Sequence, residues 1–406
     1  MALPGWFFAD DPFMGLEYGK ILEDVKNSVK EGYLESLVKQ YFLDNPHTLI
    51  LTLNPSATLE KERTEATEQQ LETLRASLSD EQLSRLEQET KELIAYQQRE
   101  DSAEALASVP MLSLADISRQ SVCYQALSDH AGDIPLLTYP QFTNDIIYLN
   151  LLFDLQSVPQ ELLPWLNFFC ALPGSMDTTG YTFGELNKLL NIHTGGFSVM
   201  PRIWLEGADE NRMIPKLAVQ TKAVGKERQR MFELVGEIVR NTNYRDPERI
   251  RTLLKRHHSH LESHMKGNGF QAAGKRLGAR LSRHGAFREL TSGLTHYRFI
   301  SEMVKNFDAK QDEIIGQLEQ IARLLFTRQN LMAACSADET DLKGIPGEIS
   351  SFAESLPAST PETFPWNFEI PATREAICAA SNVQYIVKGV NYKKLGYEWN
   401  GKMRVL

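Results

Sequence analysis

Between Thr143 and Val224 the side-chain pattern sets the order strand, helix, helix, strand, strand. From Asp145 to Leu155 the odd positions Ile147, Leu149, Leu151, Phe153 and Leu155 are apolar, while the even positions mix Ile146, Tyr148 and Leu152 with Asn144, Asn150 and Asp154. Alternation with period two puts one side of a strand in a core and leaves the other partly wet. Ser157 and Gln160 have capping-box spacing, and Pro159 suits a first turn. Pro164 would break a longer helix, so Pro159–Leu163 reads as a short turn and Pro164–Leu172 as the helix proper. A second helix opens at Thr182, boxed by Glu185, and turns Leu186, Leu189 and Leu190 inward. Gly195-Gly196 then offers a left-handed stop. Phe197, Val199, Ile203 and Leu205 share one face of the next strand, and Leu217 and Val219 one face of the strand after it. The expected fold class is α+β, an antiparallel sheet with helices packed on one face.

A chain of 406 residues exceeds one ordinary core, so several domains are expected. The net charge of −10 argues against a nucleic-acid partner, although a local basic patch survives such an average. No apolar run is long enough to span a bilayer and the first residues lack a signal pattern, which implies no membrane partner and a cytoplasmic default. Cys123, Cys170, Cys335 and Cys378 have no C-x-x-C spacing and read as reduced thiols.

Upstream, Leu22, Val25 and Val29, then Leu34, Leu37, Val38 and Tyr41, have helical spacing, and Thr48–Leu53 reads as a buried strand. Residues 57–100 carry a thin leucine stripe (Leu71, Leu74, Leu78, Leu83, Leu86, Leu93) with a capping box at Ser79–Gln82. Two helices in an antiparallel hairpin follow, each covering the other's stripe. Downstream, helices are expected over Glu227–Arg240, from Asp246-Pro247 to about Met265, and over Gln271–Leu281, Gly293–Asn306 and Asp312–Arg328. Asn330–Cys335 and Val383–Val390 read as strands, and Pro357–Pro371 as a linker.

Three segments, Asp145-Ile-Ile-Tyr-Leu-Asn150, Pro159-Gln-Glu-Leu-Leu-Pro-Trp-Leu166 and Leu190-Asn-Ile-His-Thr-Gly-Gly-Phe-Ser-Val199, resemble the third domain of presequence proteases, a branch of the pitrilysin/insulinase zinc metallopeptidases. Tyr41-Phe-Leu-Asp-Asn-Pro-His-Thr48 resembles the close of that family's second domain, and Gly285 to Tyr297 its aromatic turn before the long helices. The resemblance implies five parts: the end of a second roll domain (1–54), a helical hairpin linker (55–110), a third, non-catalytic roll (111–345), a Pro-rich linker (346–369) and the start of a fourth roll (370–406). It implies an intact enzyme that closes round unstructured peptides and cleaves them with zinc, in cytoplasm or an organelle matrix. This chain would supply chamber wall and hinge, with the rest of the same polypeptide as its partner. Two alternatives stand beside it: a catalytically dead paralogue or partner subunit serving as scaffold, and a helical-hairpin adaptor.

The family's zinc motif, H-x-x-E-H, is absent from the sequence, and Pro164–Leu172 holds no ligand in its place. No catalytic, cofactor or metal residue is therefore assigned, and no cofactor is expected in this chain. His257, His260 and His264 have helical spacing, but the order H-x-E-x-H turns Glu262 away from any shared metal, and a solvated basic face is expected. Asp10-Asp11 and Glu100-Asp101 read as surface or helix-start carboxylates.

Overall fold

A computed structural model describes residues 2–8, 11, 13–120, 122–206, 212–368, 374–378 and 383–398. The chain divides into two compact units, Met1–Ser118 and Arg119–Leu406. The first holds helices α1 (Ala2–Phe8), α2 (Tyr18–Val29), α3 (Tyr33–Val38), α4 (Leu59–Ser77), α5 (Asp80–Gln98) and α6 (Ala103–Ser108). Ser79 caps α5 as expected: its Oγ accepts from the Gln82 backbone, and the Gln82 side chain accepts from the Ser79 N–H at 2.9 Å. The leucine stripe, however, stays open. Neither α4 nor α5 buries a residue, and Leu71 remains 59% exposed, so the neighbouring helix does not cover it. The expected strand Thr48–Leu53 is also absent. Leu49, Ile50, Leu51 and Leu53 are exposed coil, because a strand must pair its backbone groups and no other strand lies among the described residues of this unit.

The second unit is built on a six-stranded sheet. Its strands are β1 (Leu127–Ala131), β2 (Ile134–Pro140), β3 (Ile146–Asp154), β4 (Phe197–Leu205), β5 (Met213–Val224) and β6 (Leu331–Ala337), in the order β1-β2-β6-β3-β5-β4. The helices are α7 (Leu166–Cys170), α8 (Phe183–His193), α9 (Arg228–Asn241), α10 (Pro247–Gly267), α11 (Gly269–Gly278), α12 (Arg283–Ser292), α13 (Leu294–Lys305), α14 (Phe307–Leu325), α15 (Glu339–Leu342) and α16 (Ile345–Glu354). The α+β class holds, with one departure from a purely antiparallel sheet: β2 and β6 are parallel. β6 returns from the helical segment and inserts between β2 and β3. Those two strands run in opposite directions, so β6 must be parallel to one of them.

Strand β3 behaves as its alternation requires. Ile147, Leu149, Leu151 and Phe153 are buried against Leu217, Val219 and Ala223 of β5 and Ala333 and Cys335 of β6, each burial contributing about 1.5–3 kcal/mol. The capping box of α8 forms as expected, with the Glu185 carboxylate accepting from the Thr182 N–H at 3.0 Å. Leu186 and Leu190 are buried, and Leu189 is packed beside them.

Other local patterns yield to tertiary partners. Ser157 does not box Gln160; its hydroxyl donates to Asp154 O and accepts from the buried Asn330 amide, while Gln160 turns to the backbone of Asn367. The chain passes instead through a 3-10 helix at Gln160–Trp165, which contains Pro164, and α7 begins only at Leu166. Gly195-Gly196 is not a left-handed helix cap. α8 ends at His193, and Thr194, in extended conformation, closes it by bonding Leu190 O through both N–H and hydroxyl. Gly195 leaves room for the Lys222 stem, which a Cβ there would meet at 2.8 Å.

α12 is a helix where the sequence suggests a turn, and α14 starts at Phe307, ahead of the expected Asp312. α16 packs on β1, β2 and β6 with Ile345 and Ile349 fully buried, and Trp366 is buried in the same core. The core therefore runs past the expected boundary at residue 345. Val383–Val390 is coil, not strand: the Tyr385 ring lies against Gly269, and Gly389 against Leu277, at α11.

One glycine sets the packing of α11 on α12. A Cβ on Gly285 would stand 2.0 Å from Gly278 O, a backbone atom that cannot rotate away. Gly285→Ala is expected to lower stability by about 3 kcal/mol, read as a fall in the urea midpoint. Gly274→Ala, in open space on α11, should hold or raise stability by up to about 1 kcal/mol. Equal effects would mean helix propensity, not the α11–α12 contact, governs both positions.

Candidate functional site

The histidine segment lies on α10, and the structure separates its members. Ile250, Leu253, Leu254 and Leu261 form the buried stripe of that helix, and His257, four residues from Leu253 and Leu261, continues it inward. His257 Nε2 lies 3.0 Å from His296 Nε2, and its ring packs near Phe168. His296 is fully buried, with Nδ1 2.9 Å from Pro164 O. A carbonyl can only accept, so His296 Nδ1 carries the proton and His257 Nε2 donates to His296 Nε2. Burial, then the neighbouring His260 and His258, pulls His257 down to about 4. Burial and His257 pull His296 down to about 3. The pair is neutral at pH 7. The expected solvated face thus holds for His260, which is exposed, and fails for His257. Glu262 pairs with Lys266 at 2.8 Å, and His258 bonds Ser301 at 2.9 Å. Among the described residues no three His, Cys, Asp or Glu side chains converge as metal ligands. Asp10 lies outside the described residues; Asp11 accepts from the Phe13 N–H, and Glu100 and Asp101 are exposed.

The larger feature is the side of the sheet turned away from the core. Register places Leu152 with Met332, Ala218 and Met200 in one row, and Leu137, Ala334, Asn150, Gln220 and Ser198 in the next. Apart from Ala218, these side chains are half-buried, in contrast with the fully buried opposite face of β3. Gln220 joins two strands, donating to the Asn150 side chain and accepting from Arg202 at 3.2 Å. Lys216 holds Asp154 at 2.8 Å, and the Lys222 ammonium stands 5.8 Å from the centre of the exposed Tyr148 ring. At one end this face opens into a groove of about 470 Å³, lined by Asp133, Asp154, Lys216, Arg328 and Glu362 among others. Amides, a phenol and paired charges on a twisted sheet can hydrogen-bond an extended chain without selecting its sequence. The even positions of β3 announced this half-wet side. β1 and β2 are not among the strands expected from the sequence, although Ile134 and Leu136 alternate after the Gly132-Asp133 turn, where Gly132 has φ +60°.

The sequence is similar to those of known proteins. The family described as associated with peptidase M16, subfamily C, matches residues 53–303. Protein HypA of Clostridium perfringens (strain 13 / Type A) is 28% identical over 404 residues, covering 100% of this chain and 41% of that protein. Presequence protease 1, chloroplastic/mitochondrial, of Arabidopsis thaliana is 29% identical over 409 residues, covering 99% of this chain and 38% of that protein. The mitochondrial presequence protease of Xenopus laevis is 24% identical over 359 residues, covering 88% of this chain and 34% of that protein. The chain therefore spans about two-fifths of the length of the first two of these relatives. A solved peptidase M16 inactive domain from Pseudomonas fluorescens aligns with a TM-score of 0.41 at 15% identity, covering 62% of this chain and 54% of that one. No helix among the described residues is long and apolar enough to cross a membrane. With the matched span running from the coil ahead of α4 into α13, over more than half of its length, the chain belongs to the family associated with peptidase M16, subfamily C.

Proposed function

We propose that this chain is the non-catalytic portion of a presequence-protease-like zinc peptidase, and that its open sheet face is a wall against which unstructured peptides lie. The observation that carries this reading is the face itself. It is a half-wet sheet surface rich in amides and paired charges, in a chain of this family that has no H-x-x-E-H. Zinc, the catalytic glutamate and closure round the substrate belong to the intact enzyme, and the remaining parts of that polypeptide are the partners of this chain. The two units would then serve as wall and hinge.

The test is direct. The purified chain, incubated with an unstructured peptide with and without added zinc, is expected to show no chelator-sensitive cleavage. Chelator should also leave its melting temperature unchanged, since a structural zinc would contribute a large share of the folding free energy. Cleavage by pure material would overturn the assignment. So would a fall of several degrees on chelation that is abolished by His260→Ala with His264→Ala.

A further inference from the structure

The carboxylate of Glu375 sits in a fork of two arginines at the end of α11. Arg276 grips it with Nε at 2.7 Å and Nη2 at 3.1 Å, and Arg280 Nη2 donates to it at 2.7 Å. The fork does not take its aim from this occupant. Arg276 Nη1 donates to Glu289 at 3.1 Å and to Thr295 Oγ1 at 3.2 Å. Glu289 is buried, and the Thr295 N–H fixes the same carboxylate oxygen at 3.0 Å. Gly293 makes room for it, because a Cβ there would fall 1.9 Å from Glu289 Oε2. A guanidinium locked in this way presents its remaining edge to a carboxylate in two-point geometry.

Residues 374–378 are exposed coil, and among the described residues the hydrogen bonds of this segment run through the Glu375 carboxylate. Beside the fork lies a groove of about 250 Å³, lined on one side by Ala279, Ala286, Leu290 and Phe368 and on the other by Gln160, Glu289 and Thr295. Residues 270–298 carry Lys275, Arg276, Arg280, Arg283, Arg288 and Arg298 against Glu289 alone, in a chain of net charge −10. A fixed cationic fork next to a groove with an apolar side has the chemistry of a chain terminus: carboxylate first, side chain beside it.

We propose that Arg276 and Arg280 form a receptor for the free C-terminal carboxylate of a peptide with an apolar last side chain. Glu375 is the internal occupant that such a peptide displaces. The peptide carboxylate takes the place of Glu375, and its last side chain enters the groove against Leu290 and Phe368. This goes beyond the wall role and stands on the fork and its groove, so it does not fall if that role does. A tethered competitor acts at an effective concentration of order millimolar, so the unaltered chain binds the peptide weakly, and removing Glu375 should tighten binding about tenfold or more.

The experiment titrates the full chain into a short fluorescent peptide ending in Leu, prepared with a free carboxylate, as the amide, and as the amide with Glu beside the Leu. Glu375→Ala is expected to bind the free-carboxylate form about tenfold more tightly than the unaltered chain, and the amide about tenfold less tightly than the acid. Adding Arg280→Gln to Glu375→Ala should abolish the gain. Arg280 pairs with Glu375 here, so the double variant strands no carboxylate. Thermal melts accompany each variant; should Glu375→Ala fail to fold, the isosteric Glu375→Gln carries the same comparison. Equal binding of acid and amide, or undiminished binding by the double variant, would overturn the proposal. If the Glu-containing amide binds as tightly as the free acid, the fork takes side-chain carboxylates, and the C-terminal reading is wrong.

Discussion

Trp366→Ala is expected to destabilise the second unit by about 3–5 kcal/mol, although the residue lies in a segment whose prolines suggest a linker. Its side chain is 4% exposed and stacks on Phe287, with ring centres 5.4 Å apart. The indole N–H donates to Val158 O at 2.9 Å, and the Trp366 carbonyl accepts from Arg283 at 2.7 Å. Two residues earlier, the Phe364 N–H donates to Gln156 O at 2.8 Å. Truncation would open a cavity between the turn at Val158 and α12 and leave a buried carbonyl unpaired. Trp366→Phe keeps most of the packing and loses the donor, so its cost should be near 1 kcal/mol. Urea unfolding of both variants separates the two contributions. A loss below about 1 kcal/mol for the alanine variant would mean the segment detaches without disturbing the core, as a linker would.

What was legible in the sequence was local. The inward face of β3 follows from alternation alone, and the boxes at Ser79 and Thr182 form because every partner lies within three residues. Ser157 and Gln160 have the same spacing, yet Asn330 and Asn367, far away in sequence, hold them instead. α16 was hidden by its Ile345-Pro-Gly start; Pro346 is tolerated there because the first helical N–H groups have no partner to lose. Thr48–Leu53 and Val383–Val390 have strand composition, but composition cannot supply an edge to pair with. The candidate surface was half readable. The mixed side of β3 appeared in the pattern, whereas the contributions of β6, β2 and β5 depend on a register that only the fold sets. His257 was misread because its charge class outweighed its place in the Leu253–Leu261 stripe.

That misreading bears on the second large effect, a loss of stability in mild acid. His257 is held near 4 and His296 near 3, both below the ordinary histidine value of 6.5, and burial is the main cause in each. Between 6.5 and those values the unfolded chain binds protons that the folded chain refuses. Stability from the pair is therefore complete above about pH 6.5 and falls as pH drops, by about 1.4 kcal/mol per pH unit for each histidine. The lowered carboxylates Glu185 and Asp338 act in the same direction, but only below about pH 4.5. Glu348, pushed up by burial, works against them, and His284, lowered by burial, adds to the histidine slope. The contribution of the pair is isolated by comparison with His296→Gln, whose amide can still donate to Pro164 O. Urea midpoints measured from pH 7 to pH 4.5 should fall steeply in the unaltered chain and less steeply in the variant, which lacks one of the lowered histidines. A flat profile in the unaltered chain, or identical slopes in the two, would show that solvent reaches these imidazoles and that the neutral pair linking α10 to α13 is not a fixture of the core.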